Sequence, residues 1–317
     1  MRRSLRTGLC MGGVVLATAT ALAIGTIKEL TLDDGHDDVN KLTAPAVDGS
    51  GTAVAIGTIA GTFDKDAKIV RRGATGFMTR GPEYNLDKSL DLGALFASAM
   101  KQEATAMGFG GSGGPAWQVD GTIKDIYVES KQIPYGATLF WGFMDVDFRV
   151  AHGGAPAQTV SMRLHNYNGG YNAGMGRKDE AMVALAHLLV EGAQEALARL
   201  NRLHFKAPPH PGVAALLDQV KTMGENRPAA ALHRLGLSGS PDAPGVLLAL
   251  VPKEPDENRR SSLIEALGRL GATEAVPMLG PRYALEDEDC RWVTLKALDY
   301  IGGADAGALV KLSLIHI

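Results

Sequence analysis

The stretch "SLIEALGRLGATEAVPMLG", residues 262–280, sets apolar residues three and four apart, breaks at Gly271 and resumes the same texture after Thr273. This spacing predicts a helix burying Leu263, Ile264, Leu267 and Leu270, stopped by Gly271, then a second helix burying Val276, Met278 and Leu279. Ala266-Leu267-x-Arg269-Leu270-Gly271 is preceded by Ala231-Leu232-x-Arg234-Leu235-Gly236 and followed by Ala297-Leu298-x-Tyr300-Ile301-Gly302. The closing glycines are 35 residues apart from Gly236 to Gly271 and 31 apart from Gly271 to Gly302. Both spacings fall in the range of helical-pair repeats, so the recurrence describes architecture rather than catalysis. In this reading Ala266 and Gly271 are small because neighbouring helices approach there. Leu267 is core and Arg269 is dispensable, and damage to the middle unit should loosen the helical part while leaving the rest folded.

Residues 213–312 also carry Arg260 and Arg291, each 11 positions before its glycine, together with "EAVP" in the middle unit. On these residues the region resembles HEAT repeats of the short bacterial kind once named after phycobilin lyases. The resemblance implies a curved helical surface for binding other proteins and assigns structural roles to Leu235, Gly236, Arg260, Ala266, Leu267, Leu270, Gly271, Arg291, Ala297, Leu298, Ile301 and Gly302. Glu225 holds the arginine position in the first unit, which reads as a divergent cap. The last residues, "LSLIHI", resemble a translated transposon end, so 313–317 is read as an artefactual tail beyond which further repeats are expected.

Upstream, "KAPPHPG" (206–212) halts a helix and prescribes an extended connection, with 207–212 the linker. Before it the period changes. "TAVAIGTIAGTFD" alternates as a strand, and "LDLGALFASAMKQEATAMGF" reads as a helix ended by Gly108. "WQVDGTIKDIYVES", "TLFWGFMDVDFRVAH" and "AQTVSMRLHNYNGGY" read as strands, and a long helix runs to Phe205. In the middle strand Phe140, Met144, Val146, Phe148 and Val150 share one side, with Asp145, Asp147 and Arg149 on the other. The expected fold class is therefore an α+β N-terminal domain, an antiparallel sheet with two helices over 51–206, followed by an all-α HEAT-repeat solenoid. In its order of elements, its "Y-N-G-G-Y" segment and its helix finishing in Gly108-Phe109, 52–205 resembles YajG-like envelope lipoproteins. That resemblance implies an exported accessory role and carries no catalytic residues.

The N-terminus agrees with export. "MRRSLRTG" carries three arginines, "LCMGGVVLATATALA" is apolar, and Ala21-Leu22-Ala23 suits a signal peptidase, so 1–23 reads as a signal peptide cut after Ala23. The alternative is an uncleaved inner-membrane anchor at 9–24. Residues 24–50, with "TLDDGHDDVNKLTAPAVDGSG", have little periodicity and read as a flexible linker.

At 317 residues, 45% hydrophobic and 21% charged, with a net charge of -3, the chain suits about two globular domains and has no electrostatic footprint for nucleic acid. Of two cysteines, Cys10 lies in the signal and Cys290 among helical positions, so no internal bridge is expected and there is no lipobox cysteine after Ala23.

Other motifs fail on context. Gly108–Gly113 matches G-x-G-x-x-G but follows a helix instead of a strand, and Ser98-x-x-Lys101 lacks the companion elements of a penicillin-binding site. The eight histidines form no H-E-x-x-H set; His36 sits in an acidic spacer, and His165 and His187 read as ordinary strand and helix residues. No catalytic residue, cofactor or metal is assigned. The expectation is a non-catalytic exported scaffold, periplasmic or outer-membrane associated, with protein partners and an undetermined oligomeric state. An enzyme (chromophore lyase or hydrolase) and a small-ligand or lipid binder using the apolar "PYGATLFWGF" are the alternatives.

Overall fold

The computed structural model describes residues 25–35, 37–63, 68–72, 84–111, 116–132, 138–168, 178–222, 228–283 and 288–314. The signal segment through Ala21 and Ala23, His36, Glu225, most of "Y-N-G-G-Y" and 315–317 lie outside them. Among the described residues the strands are β1 (Gly25–Ile27), β2 (Val54–Gly61), β3 (Lys68–Arg72), β4 (Tyr84–Leu86), β5 (Trp117–Gln132), β6 (Thr138–His152) and β7 (Gln158–Asn168). The helices are α1 (Leu92–Met107), between β4 and β5, and α2 (Lys178–Leu200), α3 (Gly212–Thr222), α4 (Ala229–Leu237), α5 (Ala243–Leu250), α6 (Glu257–Leu270), α7 (Val276–Tyr283), α8 (Glu288–Ile301) and α9 (Gly303–Leu314).

The strands form one sheet in the order β1-β4-β3-β5-β6-β7, with β2 also on β5. The long β5 pairs antiparallel with β6 and parallel with both β2 and β3, each along a different half of its length. The sheet is thus mixed, correcting the purely antiparallel expectation. Passage through α1 gives the chain room to return to β5 in the same direction as β2, and parallel pairing needs such a long crossover. Met144, Val146, Phe148 and Val150 of β6 are buried, as the alternation requires, and join Phe96 and Met100 of α1 and Leu185, Leu188 and Leu189 of α2 in one core. α1 has a full set of end signals: Asp91 accepts from Ala94 N–H, and Gly108 adopts φ 107. Ser98 and Lys101 lie within this helix.

Ala181–Phe205 is long and apolar enough to cross a membrane, but 83% of its most apolar window is buried inside the protein, which makes it a core helix. It ends in a π turn, Asn201–Phe205, whose Asn201 side chain pairs with both backbone groups of Ala207.

The flexible reading of 24–50 is corrected. Residues 25–27 form β1, paired in parallel with β4, and Ala46 and Val47 are buried. Val47 N–H donates to Met107 O, Asp48 N–H to Pro208 O and His210 N–H to Ala46 O, so this strap ties the end of α1 to the 207–212 connection. Its partners are far away in sequence, so no local periodicity announces them.

In the helical part α4, α6 and α8 pack in succession, with α5, α7 and α9 as the second helix of each pair. Leu232, Leu235, Leu263, Ile264, Ala266, Leu267, Leu270, Ala297 and Leu298 are buried in one cluster, and Ile301 packs against it. The close helix approach falls at Gly268, where a Cβ would come 2.6 Å from Ala297 Cα, and at Gly236, 3.1 Å from Ala266 Cα. Gly271 has another reason to be glycine. It adopts φ 68 at the end of α6, where Ala272 N–H donates to Leu267 O and Gly271 N–H to Gly268 O. Gly302 repeats the left-handed conformation after α8, with φ 69. Arg260 donates to Glu254 O and Pro255 O, and Arg291 to Tyr283 O, so each repeated arginine holds carbonyls of the preceding connection or helix end.

Candidate functional site

The helical echo has a consequence at the seam between the two parts. Arg234, Arg269 and Tyr300 occupy the same place in the three echoes, and all three reach residues of the N-terminal part. Arg234 donates twice to Pro45 O, at 2.9 and 2.6 Å. Arg269 meets Glu195 of α2 at 3.2 Å. The Tyr300 hydroxyl bonds both backbone groups of His165 on the edge strand β7. Arg202, on the π turn, completes the seam by donating to Arg269 O and Tyr300 O, carbonyls in the last turns of α6 and α8.

Around Arg269 lies a buried ionic cluster that sequence reasoning missed. Lys296 of α8 reaches Glu265 at 2.8 Å, Glu195 at 3.4 Å and Glu191 at 3.6 Å, and Arg269 reaches Glu265 at 3.5 Å and Glu191 at 4.0 Å. Burial pushes the Glu195 carboxyl up to about 7, against the pull of Lys296 and Arg269. Burial acts on Glu265 in the same sense, but Arg269 and Lys296 outweigh it and hold that carboxyl at about 2. Both cations lose by desolvation and gain more from the facing carboxylates, which keeps them above their ordinary ranges. Alongside runs a hydrogen-bonded chain: buried His233, held far below the ordinary histidine range chiefly by desolvation, pairs with Gln194 Oε1 at 2.7 Å. Gln194 in turn donates to Glu103 and to Asn40 O, and Asn40 pairs with His187. His187 is therefore part of a buried network rather than an isolated helix residue.

Beyond the cluster, β6 and β7 face α8 and α9 across a cleft of about 80 Å³. Its apolar walls are Trp141, Phe143, Trp292, Leu295 and Val310. Trp141 and Trp292 stack with centroids 5.5 Å apart, Phe143 meets Trp292 edge-on, and His165 sits edge-on to both Phe143 and Tyr300. The expected apolar wall in "PYGATLFWGF" is thus represented by Trp141 and Phe143. His165, read as an ordinary strand residue, lies 2.8 Å from Asp299 through Nε2. Desolvation lowers the imidazole, and its hydrogen bond to Asp299 only partly opposes this. The Asp299 carboxyl, which burial alone would raise, is held low by that bond and by nearby cations. A neutral ring donating to a carboxylate follows, which orients His165. Among the described residues lining the cleft none is a serine, threonine or cysteine.

Among the described residues no group of three or more histidine, cysteine, aspartate or glutamate side chains is placed to hold a metal ion. No family model matches the chain. No curated protein matches it either. Among solved structures, one that it resembles is a Xanthomonas campestris protein of the DUF330 family, at 9% identity and a TM-score of 0.33, covering 54% of this chain and 92% of that one. Another is an uncharacterized protein at 9% identity and a TM-score of 0.31, covering 55% of this chain and 97% of that one.

Proposed function

We propose that this chain is an exported, non-catalytic accessory protein of the cell envelope that holds a protein partner on a HEAT-type array of helix pairs. The observation that supports this reading is the seam row. One residue per pair, Arg234, Arg269 and Tyr300, fastens the first helices α4, α6 and α8 to the N-terminal part. That leaves part of the second-helix row, α5, α7 and α9, open to solvent, with Ala249, Pro277 and Ala308 among its exposed residues. A clamped array presents such a row as a preorganised surface, which lowers the ordering cost of binding. Export is carried by the arginine-led apolar start and Ala21-x-Ala23.

The test is co-purification of the full chain from envelope extract, beside an Ala249→Arg, Ala308→Arg double variant. A partner retained by the parent and lost by the variant supports the reading. Equal retention by both removes the second-helix row as the binding surface. N-terminal sequencing of the mature chain should begin at Ile24, and a start at Met1 in the membrane would favour the anchor.

A further inference from the structure

We propose that the cleft between β6–β7 and α8–α9 binds a neutral, single-ring aromatic compound carrying one hydrogen-bond donor, of the phenol class. This goes beyond partner recruitment and uses a different surface. Shape and wall chemistry come first. Trp141, Phe143, Trp292, Leu295 and Val310 line a cleft of about 80 Å³, room for one ring whose hydroxyl is turned toward Asn166. Phe143 and Trp292 are only partly buried, so their faces remain available for edge or offset stacking.

The polar groups of the lining then select the ligand's charge. Arg163 makes a two-point pair with Asp145, both bonds 2.8 Å; Lys296 is engaged by Glu265 at 2.8 Å, and Asp299 by His165 at 2.8 Å. With each of these charged groups already engaged by an ion pair or a hydrogen bond within the chain, a charged ligand would lose hydration and displace an internal partner. One buried acceptor lacks an answer. Asn166, 3% exposed and lining the cleft, gives its Nδ2 to Ala184 O, while its Oδ1 has no hydrogen-bond partner among the described residues. A buried acceptor left without a donor is costly, and a ligand O–H removes that cost where a hydrocarbon ring cannot.

The experiment uses the full chain carrying Trp117→Phe, which leaves Trp141 and Trp292 as its two tryptophans, titrated with phenol, toluene and benzoate and followed by indole fluorescence. Phenol should give a saturable one-site response about tenfold tighter than toluene, the worth of one hydrogen bond, with benzoate weaker still. Val310→Phe, which fills the cleft while keeping both tryptophans as reporters, should abolish the response to added phenol. Asn166→Leu should bring phenol and toluene level, and Asn166→Asp, which keeps an acceptor, should preserve a preference for phenol. The proposal is overturned by no saturable response to phenol, by toluene or benzoate binding as tightly as phenol, or by a response that survives Val310→Phe. The parent comparison of phenol with toluene decides the matter even where an Asn166 variant fails to fold.

Discussion

The hydroxyl of Tyr300 accepts from the N–H of His165 at 3.0 Å and donates to the same residue's C=O at 3.1 Å. One side chain of α8 thereby stands in for a missing strand at the open edge of β7, where unpaired backbone groups would otherwise invite another chain. Tyr300→Phe keeps the ring and removes both bonds. It should cost about 1 to 3 kcal/mol, the range for leaving buried polar groups unanswered, and speed exchange of the His165 amide. Unchanged exchange at that amide would show that the edge is satisfied some other way.

Arg269→Ala should cost about 3 to 5 kcal/mol, since it strands the carboxylates of Glu195, Glu265 and Glu191 against Lys296 alone. Taken as a sequence position, Arg269 looked dispensable; at 5% exposure it is not. A double-mutant cycle with Glu195→Gln should recover a large part of the loss. Strict additivity of the two changes would mean that the pair is not coupled.

Leu267→Ala, at a fully buried position, should cost about 2 to 5 kcal/mol through lost transfer energy and the cavity left behind. The seam changes how that loss is felt. Because α6 is joined to α2 through Arg269 and Glu195, and to the π turn through Arg202, chemical denaturation should lower one shared transition instead of melting the helices alone. Limited proteolysis that releases a stable fragment ending near residue 206 would contradict this coupling.

The ionic cluster makes stability depend on pH in two opposite senses. Glu195 titrates at about 7 in the folded chain against an ordinary 4.5, so the folded state keeps a proton that the unfolded state releases, and stability falls as pH rises from 4.5 to 7. Glu265, held at about 2, contributes stability that is present above 4.5 and lost as pH falls toward 2. The cluster's own optimum therefore lies near pH 4.5. Glu195→Gln should flatten the upper slope, raising stability by about 1 to 3 kcal/mol at pH 8 and changing it little at pH 4. Urea midpoints measured across this range check both slopes.

Local order was legible wherever one face or one turn decides it. The alternation of Met144, Val146, Phe148 and Val150, the run of α1 to Gly108, and the pairing of helices around Gly271 follow from period, capping and propensity, which act between near neighbours. Ala266-Leu267 and Ala297-Leu298 announced a buried helix row in the same way. What only the tertiary structure decided is the seam. Arg234, Arg269 and Tyr300 share a repeat position, but period alone cannot say whether a polar residue there meets water or another part of the chain. Pro45, Glu195 and His165, their partners, lie 189, 74 and 135 residues away. The strap from residue 37 to 50 and the cleft between Trp141 and Trp292 arise in the same manner: their hydrogen bonds and ring contacts join residues that no local pattern relates, so they exist only once the sheet and the helices have packed.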